Sequence, residues 1–144
     1  MFAATAYQLM TVDHTFGEGP TPFTEFVIGK FTDPNAGPGD EPTTVASRPL
    51  TDGERSAVES RLSPLGEVTW IDDALAYEIP VPRSPNERSA VISFGEPAID
   101  GRGALAPIKM TCGDVCGLAL TYKLTQEANG GWEVTGDTGM MEIS

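Results

Sequence analysis

The sequence predicts an α+β fold: an antiparallel sheet of about four to six strands, ending in a C-terminal meander, with two helices packed on one face. Three observations carry this expectation. Residues 3–15 and 52–65 repeat apolar positions at intervals of three and four, the helical period. The last third of the chain alternates apolar and polar residues in short runs divided by glycine-containing turns. Strands joined by short turns pair with their neighbours, and helices outside that block have one sheet face to cover.

In order, Ala3, Ala6, Tyr7, Met10 and His14 give the first helix its stripe, and Gly17-Glu18-Gly19-Pro20 ends it. "FTEFVIGKF", residues 23–31, is aromatic and β-branched enough for a strand. Residues 33–49 hold four prolines and two glycines without hydrophobic period, an acidic loop expected to be mobile. Thr51 and Glu54 form a capping box, and Ala57, Val58, Arg61, Leu62 and Leu65 continue a helix that Pro64 and Gly66 stop. "EVTWI", 67–71, is a strand. Residues 78–88 read as a proline-rich connector, with Pro82-x-x-Pro85 taken as spacing rather than as a polyproline ligand. The whole of 1–144 is read as one domain, long enough to bury a core.

The meander can be registered residue by residue. Leu118, Leu120, Tyr122 and Leu124 share one strand face; Ala106, Ile108, Met110 and Cys112 share one on the strand before. A loop of Gly113, Asp114 and Val115 then sets Met110 against Leu118, Ile108 against Leu120 and Cys112 against Cys116. A second loop, Ala128-Asn129-Gly130 with Gly130 left-handed, sets Leu124 against Val134 and Gln126 against Trp132. Pro107 cannot donate a ladder bond, so regular pairing starts at Ile108 or a bulge lies there. Opposed residues lie about 4.5–5.5 Å apart at Cα, within disulfide range. Cys112 and Cys116 are therefore read as a hairpin-closing disulfide that fixes a turn and implies an oxidising, extracytoplasmic compartment. Two free buried thiols, or thiol or metal chemistry, are the alternatives. A redox pair has two intervening residues at a helix start, and zinc needs about four ligands.

The order "CG-x-x-CG", "Leu-Thr-Tyr-Lys-Leu" and "Asn-Gly-Gly-Trp-Glu-Val" resembles the C-terminal part of small uncharacterised exported bacterial proteins. That likeness spans roughly residues 90–136 and implies export, with no activity or catalytic residue to carry over. The second hairpin is also similar to the last strands of NTF2-like domains.

The net charge is −12, from 21 acidic against nine basic residues. Such a surface repels phosphate backbones and anionic membranes, so no nucleic-acid partner is expected, and a basic protein is the partner it suits. No apolar run reaches the length of a membrane span, and the N-terminal residues do not form an intact signal peptide. No catalytic residue, metal site or cofactor is assigned: His14 is the only histidine, and nucleophile elbows and phosphate loops are missing. Asp72-Asp73 after a strand is read as a solvated turn. Trp70, Tyr122 and Trp132 are read as core aromatics that can line a pocket between helix and sheet. The leading expectation is a non-catalytic exported protein-binding domain, such as an inhibitor or immunity-type protein. The alternative is an NTF2-like small-molecule binder or enzyme with a pocket lined by some of those three aromatics.

Overall fold

The structure, a computed structural model, describes residues 1–14, 21–39, 45–80, 87–113 and 116–143. Helix α1 (Phe2–Gln8) runs into a π-helical turn, Leu9–Asp13; α2 is Asp52–Leu62. Seven strands follow the chain as β1 (Glu25–Gly29), β2 (Glu67–Ile71), β3 (Ser89–Phe94), β4 (Ala98–Asp100), β5 (Gly103–Gly113), β6 (Cys116–Gln126) and β7 (Trp132–Ile143). They form one sheet in the order β2-β1-β3-β5-β6-β7, with β4 paired to β5.

The class is the expected α+β, and β5, β6 and β7 make the expected meander. The sheet is larger than four to six strands, and it is mixed: β1 pairs in parallel with both β2 and β3. The cause is connectivity. β1, α2 and β2 make a strand–helix–strand unit, and a crossover of that kind returns the chain parallel to where it began. Residues 72–80 then leave β2 over the opposite face, where Ala74 sits over Gly29.

One face carries the core. Phe26, Ile28, Ile92, Phe94, Ile108, Met110, Leu118, Leu120, Tyr122 and Leu124 meet Phe2, Ala6, Leu9 and Met10 of the first helical segment and Val58 and Leu62 of α2. Phe2 and Phe94 stack with ring centroids 4.8 Å apart. The buried stripe of the first segment is Phe2, Thr5, Ala6, Leu9 and Met10, offset from the expected one, so Ala3 and Tyr7 are only half-buried. Ala57 and Arg61 of α2 are likewise exposed. Arg61 lies instead over the Tyr7 ring, 4.2 Å from its centroid.

The capping box of α2 forms as read: Glu54 N–H donates to Thr51 Oγ1 and Thr51 N–H to Glu54 Oε1. The registers also form as read, with Met110 opposite Leu118, Ile108 opposite Leu120, Leu124 opposite Val134 and Gln126 opposite Trp132. Gly130 has φ 88°, a turn conformation that glycine adopts without steric cost. Pairing of β5 with β3 begins at Ile108. Beyond it the Pro107 carbonyl accepts from Gly95 N–H at 2.9 Å, so the missing donor faces the point where β3 has ended.

Where it is described, the acidic loop makes specific contacts with the sheet. Residues 33–39 dock on the back of the sheet: Asp33 N–H donates to Phe94 O (2.7 Å), Ala36 is fully buried, and Gly39 N–H donates to Glu142 (3.0 Å). Residues 47–50 return antiparallel to 30–32, through Thr32 N–H to Arg48 O and Leu50 N–H to Lys30 O. A loop closed by such a ribbon has its ends fixed. Residues 40–44, the Gly17–Pro20 stop, Asp114, Val115 and the Pro82-x-x-Pro85 spacing lie outside the described residues.

Candidate functional site

Parallel pairing aligns the leading ends of β1, β2 and β3, and a broad cleft opens there. It encloses about 1100 Å³ and is lined by Thr24, Glu25, Glu67, Ser89 and Arg88 at those ends, by Tyr77–Pro80 and Glu87 of the connector, and by Thr111–Gly113 of β5. Glu25 and Glu67 are paired across β1 and β2. Glu25 accepts from Ser89 Oγ at 2.9 Å, which fixes its carboxylate beside β3. The backbone of the rim is held by Thr24 N–H to Arg88 O (2.8 Å) and Glu67 N–H to Thr24 O (3.0 Å). The lining thus holds four glutamates and one arginine, with Tyr77, Ile79 and Pro80 as its apolar wall.

The hairpin that carries the cysteines forms one side of this cleft. Cys112 and Cys116 are disulfide-bonded, with Cα atoms 5.1 Å apart. A bulge between Thr111 and Gly113 sets Gly113, rather than Cys112, opposite Cys116. Both cysteines are half-buried, Cys112 against the core and on the cleft wall. Among the described residues there is no free cysteine and no group of three or more metal-binding side chains.

A second cleft of about 310 Å³ lies at the opposite ends of the same strands, on the back face, between Phe31–Pro34 and Asp72–Leu75. Asp73 Oδ1 accepts from Leu75 and Ala76 N–H, and Asp72 pairs with Lys30 at 3.2 Å. Asp73 thus shapes the turn, and Lys30 offsets the charge of Asp72.

Trp70, Tyr122 and Trp132 are not brought together. They stand on β2, β6 and β7, and neither cleft is lined by any of them. Trp70 is clamped by α2, its indole N–H donating to Glu59 and Arg55 lying 5.0 Å from its ring centroid. Tyr122 is 1% exposed in the core, and its hydroxyl donates to Asp13 Oδ2 at 2.8 Å. Burial, then the Asp13 contact, pushes its phenol well above the ordinary tyrosine range. Trp132 packs half-buried at the end of β7. His14, read as part of the first helix's stripe, is 6% exposed. The interface between helices and sheet is filled by buried side chains.

Arg48 joins two carboxylates at once. Its guanidinium donates to both Glu54 oxygens (2.8 and 3.0 Å) and to Glu96 (2.6 Å), and stands 5.7 Å from the Phe2 ring centroid. These hydrogen bonds hold Glu54 below the usual carboxylate range and Arg48 above its own. One residue thereby ties the end of the 33–49 loop to the start of α2 and to the segment after β3.

No family model matches the sequence, and comparisons with the curated proteins and with the solved structures returned no match. Among the described residues no helix is long and apolar enough to cross a membrane.

Proposed function

We propose that this chain is an extracytoplasmic, non-catalytic binding domain that takes a basic segment of another protein into the cleft at the leading ends of β1, β2 and β3. The observation that carries this reading is the set Glu25, Glu67, Glu78 and Glu87 around that one cleft. A net charge of −12 draws a cationic partner in from beyond contact range. Ile79, Pro80 and Tyr77 offer apolar surface to the methylene stems of lysine or arginine, whose heads then reach the carboxylates. An inhibitor or immunity-type protein is the concrete form this takes. The extracytoplasmic setting rests on the Cys112–Cys116 disulfide.

The test is calorimetric titration of the full chain with a lysine/arginine-rich peptide and with its uncharged analogue, at about 0.05 M and about 0.3 M salt. The basic peptide is expected to bind roughly tenfold more weakly at the higher salt. The double variant Glu25→Gln/Glu67→Gln is expected to show a similar loss. Equal affinity for both peptides, or binding indifferent to the double variant, rejects the proposal.

A further inference from the structure

We infer that two copies of this chain pair through β2, antiparallel, about a two-fold axis at Thr69, so that their sheets become one. This rests on the edge of the sheet and stands independently of the cleft reading. β2 ends the strand order on one side. Its Glu67 N–H donates to Thr24 and its Ile71 carbonyl accepts from Lys30, so residues 67, 69 and 71 turn their peptide groups toward β1. By alternation, Val68 and Trp70 turn theirs outward. Among the described residues no backbone bond from another segment reaches them.

The two ends of the sheet are treated differently. β7, the far edge, carries Glu133, Asp137 and Glu142, and its pairing with β6 is broken twice by register shifts. Acidic side chains and bulges of that kind discourage a further strand. β2 is "EVTWI", paired without a break, with no proline or lysine and with Val68–Ile71 half-exposed. Such a regular, β-prone edge is a ready template for a further strand.

A two-fold at Thr69 fits this edge to itself. It sets Val68 of one copy against Trp70 of the other, so each such pair exchanges two N–H···O bonds and both outward residues are satisfied within the strand. The same pair sets a β-branched residue against an aromatic one on the helix face. The indole arrives already held by Glu59 and Arg55. Glu67 falls opposite Ile71 and Gly66 opposite Asp72, so no like charges are directly opposed. A two-fold at Val68 or at Trp70 leaves one outward residue to seek a partner beyond the strand. The seam is short, so association is weak, and two chains of −12 repel, so salt favours the dimer.

Sedimentation velocity on the full chain, from about 5 to about 500 μM, is expected to show a dimer whose fraction rises with concentration and with salt. Val68→Pro removes an outward donor while sparing the bonds to β1, and Thr69→Lys opposes two like charges at the axis. Each is expected to weaken dimerisation at least about tenfold while circular dichroism stays unchanged. Thr69→Cys forms a non-hydrogen-bonded pair about 4.5 Å apart at Cα, so air oxidation is expected to yield a covalent dimer. Ile71→Cys, far from its own copy in this register, is expected to give none. A wild-type chain monomeric throughout, a dimer that survives both Val68→Pro and Thr69→Lys, or equal crosslinking by the two cysteine variants overturns the inference. The concentration series on the wild type decides the matter even where a variant fails to fold.

Discussion

Tyr122 and Arg48 show how single side chains join distant parts of this chain. The Tyr122 hydroxyl, buried under the π-helical turn, spans from β6 to Asp13, which Gln8 also reaches at 3.2 Å. Tyr122→Phe removes one partner of a part-buried carboxylate, and denaturant unfolding is expected to show a loss of about 1–2 kcal/mol. A variant as stable as the parent would mean that solvent already serves Asp13. The phenol has the opposite pH signature to a carboxylate. Its folded pKa is raised, so its contribution is complete below the unfolded value near 10 and is lost as pH climbs above it. Glu54 behaves conversely. Its folded pKa is lowered by Arg48, so its contribution is present above the unfolded value and disappears as pH falls through the folded one. Melting temperatures measured from about pH 6 to about pH 3 are expected to fall once the pH passes below the ordinary glutamate value. In Arg48→Met that acid-side drop is expected to shrink, because Glu54 then titrates near its unfolded value. An identical acid limb in both proteins would assign the drop to other carboxylates.

At the scale of elements, the same local geometry decides what the sequence revealed and what it hid. Strict alternation from Cys116 to Leu124 makes the β5–β6–β7 register readable, because a slip by one residue exposes four core side chains. The capping box makes the start of α2 readable for the same local reason. The order of β1, β2 and β3 was less accessible, since it depends on how strands far apart in the chain meet. A signal did exist: strand 25–29, helix 52–62 and strand 67–71 follow one another as a crossover unit, which demands parallel pairing. Parallel pairing is what places Glu25 and Glu67 side by side, so the cleft stayed hidden with it. The trio Trp70, Tyr122 and Trp132 is scattered because strand order separates β2 from β6 and β7. Gly66, read only as a helix stop, has a second role. A Cβ there meets Thr24 O at 2.7 Å and the Phe26 ring at 3.1 Å, because the chain passes close over β1 on its way into β2. Gly66→Ala is expected to cost about 1–3 kcal/mol in denaturant unfolding, whereas a neutral result would mean that the α2–β2 link yields easily. The disulfide acts on a smaller scale. It encloses three residues, so in the loop-closure picture its removal costs about 2 kcal/mol or less. Cys112→Ser/Cys116→Ser is expected to keep the circular dichroism of the parent with a modestly lower melting temperature; collapse of the fold would give the bond a larger role than turn closure.

For the molecule as a whole, charge is the variable that the fold does least to balance. Nine basic residues face 21 acidic ones, and several of the nine are already committed: Arg48 to Glu54 and Glu96, Lys30 to Asp72, Arg55 and Arg61 to aromatic rings. The remaining carboxylates repel one another in the compact state more than in an expanded one. Two opposing effects of salt follow. Screening weakens the Arg48 contacts, which are local and partly buried, and it relieves the general repulsion, which acts between exposed charges about a Debye length apart. Exposed charges are screened far more than partly buried pairs, so relief wins at neutral pH. The melting temperature at pH 7 is therefore expected to rise as salt goes from about 0.02 M to about 0.5 M. The same salt step at a pH near the isoelectric point of about 4.2 is expected to produce a smaller rise or a fall, because little net repulsion is left to screen. Differential scanning calorimetry at the two pH values separates these outcomes. A salt-independent transition at pH 7 would mean that the acidic side chains are spread widely enough for their repulsion to be negligible. The charge would then bear on encounters with partners alone, and on the fold hardly at all.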